Sequence, residues 1–484
     1  MKLNKIIDKI KFKGSYDNRE ITHIAHDSRK VKNGTLFIAI AGDNNDGHDF
    51  IFDALDKGAV AVVANGRSPK TDLVPIIQVK NPRKIMSKIA ANFYRNPSKK
   101  LNMIGVTGTN GKTSTTLIVN DILNTCNKRT SSIGTLGFST PGGIVSTGFT
   151  TPESIDLHQI LKTMKDGGIC YVPMEVSSHA IDMHRVDDVK YKVGIFTNLS
   201  PEHLDYHGTM DNYFNSKLKF LKSIGRNNYC ILNKDDLYFK KITKEIKSKY
   251  ISYGFDKNAD ICISNFEQSI DESKVELLYK NKNYNFKTNL IGKHNVYNIV
   301  AAISACATLK INFNQIIESI SAVKQIPGRM EKIKLINNNF AIVDYAHTPD
   351  AFENILSTVK EISNNKKIIT IFGCGGNRDK NKRPLMAEIA ENFSDETIIT
   401  TDNPRNEILT NINNDIVKGF KNKKFRIIND RKISISKAIK NNKDAVIVVL
   451  GKGIENYQII NNKKIPYSDI ETISEFKDEN WNQR

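Results

Sequence analysis

The 484-residue chain has only six cysteines: Cys126, Cys170, Cys230, Cys262, Cys306 and Cys374. None form a C-x-x-C pair, and their wide spacing suggests neither a zinc site nor a disulfide framework. Reduced thiols in a cytoplasmic protein are the expectation. No run of about 18 apolar residues occurs, so no membrane-spanning helix is expected. The opening stretch MKLNKIIDKIKFK is charged throughout and lacks the apolar core of a signal peptide. There is no internal repeat and no long low-complexity segment. Lys and Arg number 71 against 52 Asp and Glu, a formal charge of +19, yet no long basic block or Arg-rich arm is present. Such a charge can mark a surface for nucleic acid or membrane. Scattered, solvated lysines are the other reading, and short clusters such as Lys421-Asn422-Lys423-Lys424 fit it. The excess charge would also attract an anionic substrate.

Hydrophobic residues make up 39% of the chain and charged residues 25%, an ordinary globular balance. At roughly 100–200 residues per domain, the length suggests three domains. Texture places them at 1–98, 99–326 and 327–484. Polar groups repeatedly follow short β-branched runs: Met103-Ile104 before a Gly-rich loop, Tyr171–Met174 before Glu175, and Val193–Thr197 before a His-rich loop. Ala341–Val343 precedes Asp344, Ile368–Phe372 precedes Gly373, Ile398–Thr400 precedes Asp402, and Ala445–Leu450 precedes Gly451. Open parallel α/β sheets bind ligands beyond the carboxyl ends of their strands. The fold class expected is therefore α/β with mostly parallel sheets, a central P-loop ATPase domain and a Rossmann-like C-terminal domain. Residues 240–287 are polar and poorly patterned and are expected to form a peripheral sheet.

The strongest single signal is Gly105-Val106-Thr107-Gly108-Thr109-Asn110-Gly111-Lys112-Thr113-Ser114. Glycines let backbone N–H groups approach phosphate oxygens, Lys112 adds a point charge, and the Thr113 hydroxyl can ligate Mg²⁺. A helix should open here, with Leu117, Ile118, Ile122 and Leu123 on its buried side and its N-terminal dipole favouring phosphate. The spacing departs from G-x-x-x-x-G-K-[ST], because Val106 stands where the first glycine should be. A Gly-rich turn that binds nothing is the plain alternative, but the preceding strand and following helix are the context the motif requires.

The form Gly-Thr-Asn-Gly-Lys-Thr resembles the ATP loop of the Mur ligases and of their relatives, the folylpolyglutamate synthetases. The resemblance implies that Gly108, Thr109, Asn110, Gly111, Lys112, Thr113 and Ser114 bind ATP. Met174-Glu175-Val176-Ser177-Ser178-His179 resembles the family segment whose glutamate binds Mg²⁺, which falls on Glu175; a salt bridge is its alternative. In Thr197–Gly208 the Pro-Glu-His-Leu-Asp stretch puts the second-metal histidine at His203. Tyr213–Phe220 reads alone as an amphipathic helix with solvated lysines. The family instead carbamylates the lysine at the position of Lys217, which would supply anionic oxygens to a metal. Ser216 replaces the usual Ala before it. Gly292–Asn298 resembles a segment near the nucleotide base, implying a role for Asn295, although a capped helix start explains it as well.

His26–Val31 resembles the family's uridine-site motif and implicates Ser28. Thr150 and Thr151 of the Thr-Thr-Pro-Glu stretch, with Ser177 and Arg185, fall where the muramoyl dipeptide is held. Arg185 suits a carboxylate. Met183 departs from the polar residue found in some members. Arg329 and Asp344, in Pro327–Glu331 and Asp344–Pro349, match residues that touch the nucleotide.

Asp402-Asn403-Pro404-Arg405 resembles the signature of members that add meso-diaminopimelate. A guanidinium can hold that molecule's distal carboxylate through two parallel hydrogen bonds, whereas it would repel the lysine ammonium. Arg378, Gly451 and Glu455 match positions for the same amino acid, Glu455 facing its distal ammonium; Ile454 replaces a frequent His. The resemblance spans Ser28 to Glu455. It implies a ligase that uses ATP and Mg²⁺ to join a diamino diacid, diaminopimelate or its isostere lanthionine, to a UDP-N-acetylmuramoyl dipeptide through an acyl phosphate. The third domain would close over the second. Lys112, Lys217 and His203 are the catalytic candidates. A monomer that binds no nucleic acid is expected. The rivals are a related ligase adding lysine and a P-loop ATPase acting on nucleic acid.

Overall fold

The computed structural model describes residues 1–478 apart from 43–44, 68–70, 72, 141–142 and 423. It divides into two compact units. One comprises Met1–Ser264, Leu277–Tyr284 and Tyr297–Ala322; the other comprises Asn265–Glu276, Asn285–Val296 and Val323–Arg484.

The first unit opens with a parallel sheet of four short strands in sequence order: His23–Ala25, Thr35–Ile38, Ala59–Ala64 and Ile76–Gln78. Leu36, Phe37, Ile38, Val62 and Val63 have no exposed surface, so both faces of this sheet are covered. Helix Pro82–Phe93, capped by Asn81, closes it. A larger sheet follows, centred on Asn102–Thr107. This strand lies parallel between Tyr171–Glu175 and Tyr191–Phe196, and Tyr229–Asn233 and Lys249–Gly254 continue the sheet outward. Three further strands, Ile261–Gln268, Ser273–Tyr279 and Lys282–Thr288, fall in the stretch where a peripheral sheet was expected. Their residues are shared between the two units.

His158, on helix Ser154–Asp166, is fully buried, and among the described residues neither ring nitrogen has a hydrogen-bond partner. Burial pulls its pKa from 6.5 to about 3. Between those values the unfolded chain binds a proton that the folded chain refuses, so stability falls as pH drops below 6.5. His158→Leu removes the group, and we expect urea unfolding across pH 7 to about 4 to show a weaker acid loss of stability than in the wild type. Parallel declines in the two proteins would contradict this.

The second unit carries a six-stranded sheet. Phe340–Asp344, Ala445–Leu450, Lys367–Phe372, Glu396–Ile399 and Phe425–Ile427 run parallel in that spatial order, and Glu331–Lys334 is antiparallel at the edge. The last long strand, Ala445–Leu450, inserts between the first two parallel strands in sequence. It is apolar throughout and fully buried. Its end is tied by the Arg431–Asp469 ion pair, in which both groups are buried and Arg431 also donates to the Leu450 carbonyl at 2.9 Å. Of the Lys421–Lys424 cluster, Lys421 is an exposed partner of Glu388, and Lys423 lies outside the described residues.

Candidate functional site

In the first unit, strand Asn102–Thr107 delivers the Gly-rich loop to helix Lys112–Thr125. Gly108 has φ +152° and Gly111 φ +84°, and a Cβ at either would collide with Thr197 or Asn298 respectively. Glycine is therefore required at both for a conformational and a steric reason. The helix buries Ile118, Ile122 and Leu123 as expected; Leu117 is only half-buried, and Val119 shares the core instead. Asn198 braces the loop: its carbonyl accepts the Thr109 N–H at 2.9 Å, and its Oδ1 accepts the Asn110 N–H at 2.9 Å. Thr109 hydrogen-bonds Tyr213 at 3.2 Å. Ser114 is buried in the first helical turn.

Two lysine side chains converge on one carbonyl. Lys112 Nζ donates to the Gly108 oxygen at 3.1 Å and to the Thr109 oxygen at 2.7 Å, and Lys217 Nζ donates to the same Gly108 oxygen at 2.8 Å. Lys217 sits 4.4 Å above the Tyr213 ring and is 1% exposed. Burial, and then the Lys112 charge, hold its pKa well below that of an ordinary lysine. The solvated-lysine reading of this helix therefore fails at Lys217, which faces inward, while Lys219 remains half-exposed.

Thr113 donates to Glu175 Oε2 at 3.0 Å, and Thr135 donates to Glu175 through its N–H at 2.8 Å and its hydroxyl at 3.2 Å. Glu175 is 1% exposed. Among the described residues no Lys, Arg or His forms an ion pair with it, so the salt-bridge alternative is not realised. His203 takes a left-handed conformation and sits edge-to-face on His179 with centroids 4.8 Å apart; burial lowers the pKa of both. Among the described residues no group of three His, Cys, Asp or Glu side chains is arranged to hold a metal ion by itself.

Thr151 reaches the Glu175 carbonyl at 2.9 Å and accepts the Ser177 N–H at 3.1 Å, while Thr150 hydrogen-bonds Thr135 at 3.1 Å. Arg185 donates to the Thr151 carbonyl at 3.1 Å and pairs with Glu153 at 2.8 Å; Arg83 pairs with the other Glu153 oxygen at 2.7 Å. Ser28 opens a short 3₁₀ turn capped by Asp27, and the neighbouring Lys30 lies 3.9 Å from Asp156. The dipeptide and uridine candidates therefore share one unit with the phosphate loop.

In the second unit, Asp344 accepts the Met330 and Ala346 N–H groups, each at 2.7 Å, and the Arg329 guanidinium lies 4.9 Å from the Tyr345 ring centre. Asn295 also belongs here, in the first turn of helix Lys293–Thr308, and its side chain donates to the Ile291 carbonyl at 2.9 Å. Asp402, Asn403 and Pro404 are buried beyond strand Glu396–Ile399. Burial raises the Asp402 pKa, opposed by Lys452 and Arg431. Gly451, at φ +111°, lies so close to Asp402 that a Cβ would fall 2.6 Å from its carboxylate. Arg405 is half-buried at φ +54°, its N–H bound to the Ile459 carbonyl at 2.9 Å and its Nη1 to the Gly376 carbonyl at 2.8 Å. A Cβ at Gly375 would lie 3.0 Å from Arg405 and 3.7 Å from exposed Arg378, so the two guanidinium-bearing side chains flank one glycine. Asn403 donates to Glu455 at 2.9 Å. Sequence reasoning passed over Lys452, Thr135, Asn198 and Glu153; three of these lie in or beside motifs it had singled out.

Three family models match in order along the chain: the Mur ligase family catalytic domain over 20–94, the Mur ligase middle domain over 106–306, and the Mur ligase glutamate ligase domain over 328–453. The chain belongs to the Mur ligase family. It is 43% identical to a Clostridioides difficile protein over 98% of this chain and 99% of that one, and 42% identical to an Aquifex aeolicus protein over 95% and 94%. Both relatives are named UDP-N-acetylmuramoyl-L-alanyl-D-glutamate--2,6-diaminopimelate ligase. A solved structure with that name superimposes with a TM-score of 0.72 at 27% identity, covering 98% of each chain.

Proposed function

We propose that this chain is the ATP-dependent ligase that adds a diamino diacid, meso-diaminopimelate or its isostere lanthionine, to UDP-N-acetylmuramoyl-L-alanyl-D-glutamate in peptidoglycan synthesis. The observation that carries the reading is the Arg405 loop. A guanidinium flanks Gly375 beside Arg378, and a carboxylate, Glu455, is hydrogen-bonded to Asn403 of the same Asp-Asn-Pro-Arg stretch. One group suits a distal carboxylate and the other a distal ammonium. The reading includes domains at 1–98, 99–326 and 327–484, a monomer in the cytoplasm, and no nucleic-acid partner. Among the described residues no helix is long and apolar enough to cross a membrane.

The proposed reaction runs in two steps. The substrate's glutamate carboxylate attacks the ATP γ-phosphorus, ADP leaves, and an acyl phosphate forms. The amino acid's amine then attacks the acyl carbon, and phosphate departs with one former carboxylate oxygen while the amine loses a proton. Loop N–H groups and Lys112 meet the charge that develops on the phosphoryl oxygens. Arg185 and Thr151 orient the dipeptide, and Ser28 the uridine.

Glu175 fits a Mg²⁺ site, being a buried carboxylate without a cationic partner among the described residues, beside the Thr113 hydroxyl. Mg²⁺ keeps few protein ligands when phosphates supply the others. When bound it would neutralise phosphate charge. A second ion would be served by His203 and by Lys217 as its carbamate. The depressed basicity of Lys217 favours the neutral amine, which is the form that adds to CO₂.

The test is phosphate release from ATP and the UDP-muramoyl dipeptide with diaminopimelate, lanthionine, lysine or no amino acid. Turnover confined to the two diacids is expected. Turnover with lysine alone would refute the specificity, and ATP hydrolysis dependent on nucleic acid would replace the ligase reading.

A further inference from the structure

Lys452 is a fully buried cation inside the loop that follows strand Ala445–Leu450. Its Nζ lies 2.9 Å from Glu455 Oε2 and 3.2 Å from Asn403 Oδ1. Asn403 Nδ2 donates to the same Glu455 oxygen at 2.9 Å, so the three side chains close a ring. Asn403 Oδ1 also accepts the Ile459 N–H at 2.9 Å, which fixes the amide's orientation and leaves it no freedom to flip. Among the described residues the side-chain hydrogen bonds to the Glu455 carboxylate all fall on Oε2 and none on Oε1, and the Glu455 side chain is 20% exposed. One oxygen is thus held by two donors, in a side chain that is not fully enclosed.

We propose that Lys452 is a positioning residue for the amino-acid substrate. It never touches the substrate. It clamps Asn403 and Glu455 into one rigid group and leaves Glu455 Oε1 as the oxygen offered to the substrate's ammonium. Lys452 also offsets the Glu455 charge, so an incoming ammonium meets an oriented carboxylate. A buried charge pair fixes geometry in this way at the cost of desolvating both partners. The inference rests on the reading of this loop as the amino-acid site.

The test is steady-state kinetics of the full chain with ATP, the UDP-muramoyl dipeptide and diaminopimelate. Lys452→Gln is expected to raise the KM for diaminopimelate about thirtyfold or more, as loss of one member of a desolvated pair does. The KM values for ATP and the dipeptide should stay within about twofold. A folded variant with wild-type KM for diaminopimelate, or with all three KM values raised alike, overturns the proposal. If Lys452→Gln does not fold, the pair is removed together in Lys452→Met/Glu455→Gln. Because Lys452 acts through Glu455, the double variant should show the same diaminopimelate KM as Glu455→Gln alone. A further additive rise would overturn the proposal. Wild-type inactivity with every amino acid would instead strike the reading of the site itself, so the two failures are separable.

Discussion

Lys112→Ala will lose turnover by about 10³-fold or more while keeping the fold, because one charged donor aimed at a transferring phosphoryl group contributes at least that much in a water-poor site. The structure makes the loss specific. Lys112 Nζ rests on the Gly108 and Thr109 carbonyls, so the ammonium is already held at the loop. Its removal leaves Asn198 still bracing the Thr109 and Asn110 N–H groups, and Thr113 still bound to Glu175. The Gly108 carbonyl that Lys112 gives up keeps its Lys217 donor, so thermal stability should change little. Circular dichroism and melting check the fold, and phosphate release checks the chemistry. A folded variant with more than about a tenth of wild-type turnover would remove Lys112 from the mechanism.

Arg405→Asn should lower kcat/KM for diaminopimelate by about 10²–10³-fold, the usual cost when a site built for a charged bidentate contact loses it. Asn is the informative replacement. The position has φ +54°, and Asn tolerates the left-handed region better than most residues, so backbone strain does not confuse the outcome. The Arg405 N–H bond to Ile459 and the Asn461 N–H bond to the Arg405 carbonyl are main-chain contacts and survive the change. The same variant should accept lysine better relative to diaminopimelate, since the repelling cation is gone. Competition between the two amino acids in one reaction, read by the mass of the product, gives the ratio directly. An unchanged ratio would move the specificity elsewhere.

Much of this was legible from the residues, for identifiable reasons. The runs at Met103, Tyr171, Val193, Ala341, Ile368, Ile398 and Ala445 are strands because parallel sheets buried on both faces need continuous apolar stretches, and the polar residue that follows each marks the carboxyl end of the strand. Leu117 was misassigned because helix Lys112–Thr125 buries Thr113–Thr116 as well as its apolar side, which blurs the periodicity. Asn295 carries a structural bond that a motif cannot distinguish from a ligand contact. Lys217 and Lys219 look alike in sequence, and only packing against Tyr213 separates the buried one. Lys452 was passed over because a lysine between two glycines reads as solvent-exposed; its burial depends on Asn403, 49 residues away. Pairings over such distances leave no local periodicity to read.

The most direct measurement follows an oxygen atom. The UDP-muramoyl dipeptide is labelled with ¹⁸O in its terminal glutamate carboxylate, and the phosphate released during turnover with diaminopimelate is analysed by mass spectrometry. The account predicts one ¹⁸O in each phosphate, because the carboxylate attacks phosphorus and the phosphate leaves with that oxygen. Unlabelled phosphate, with the amide product still formed, would contradict activation of the carboxylate by phosphoryl transfer and with it the roles assigned to Lys112 and Glu175.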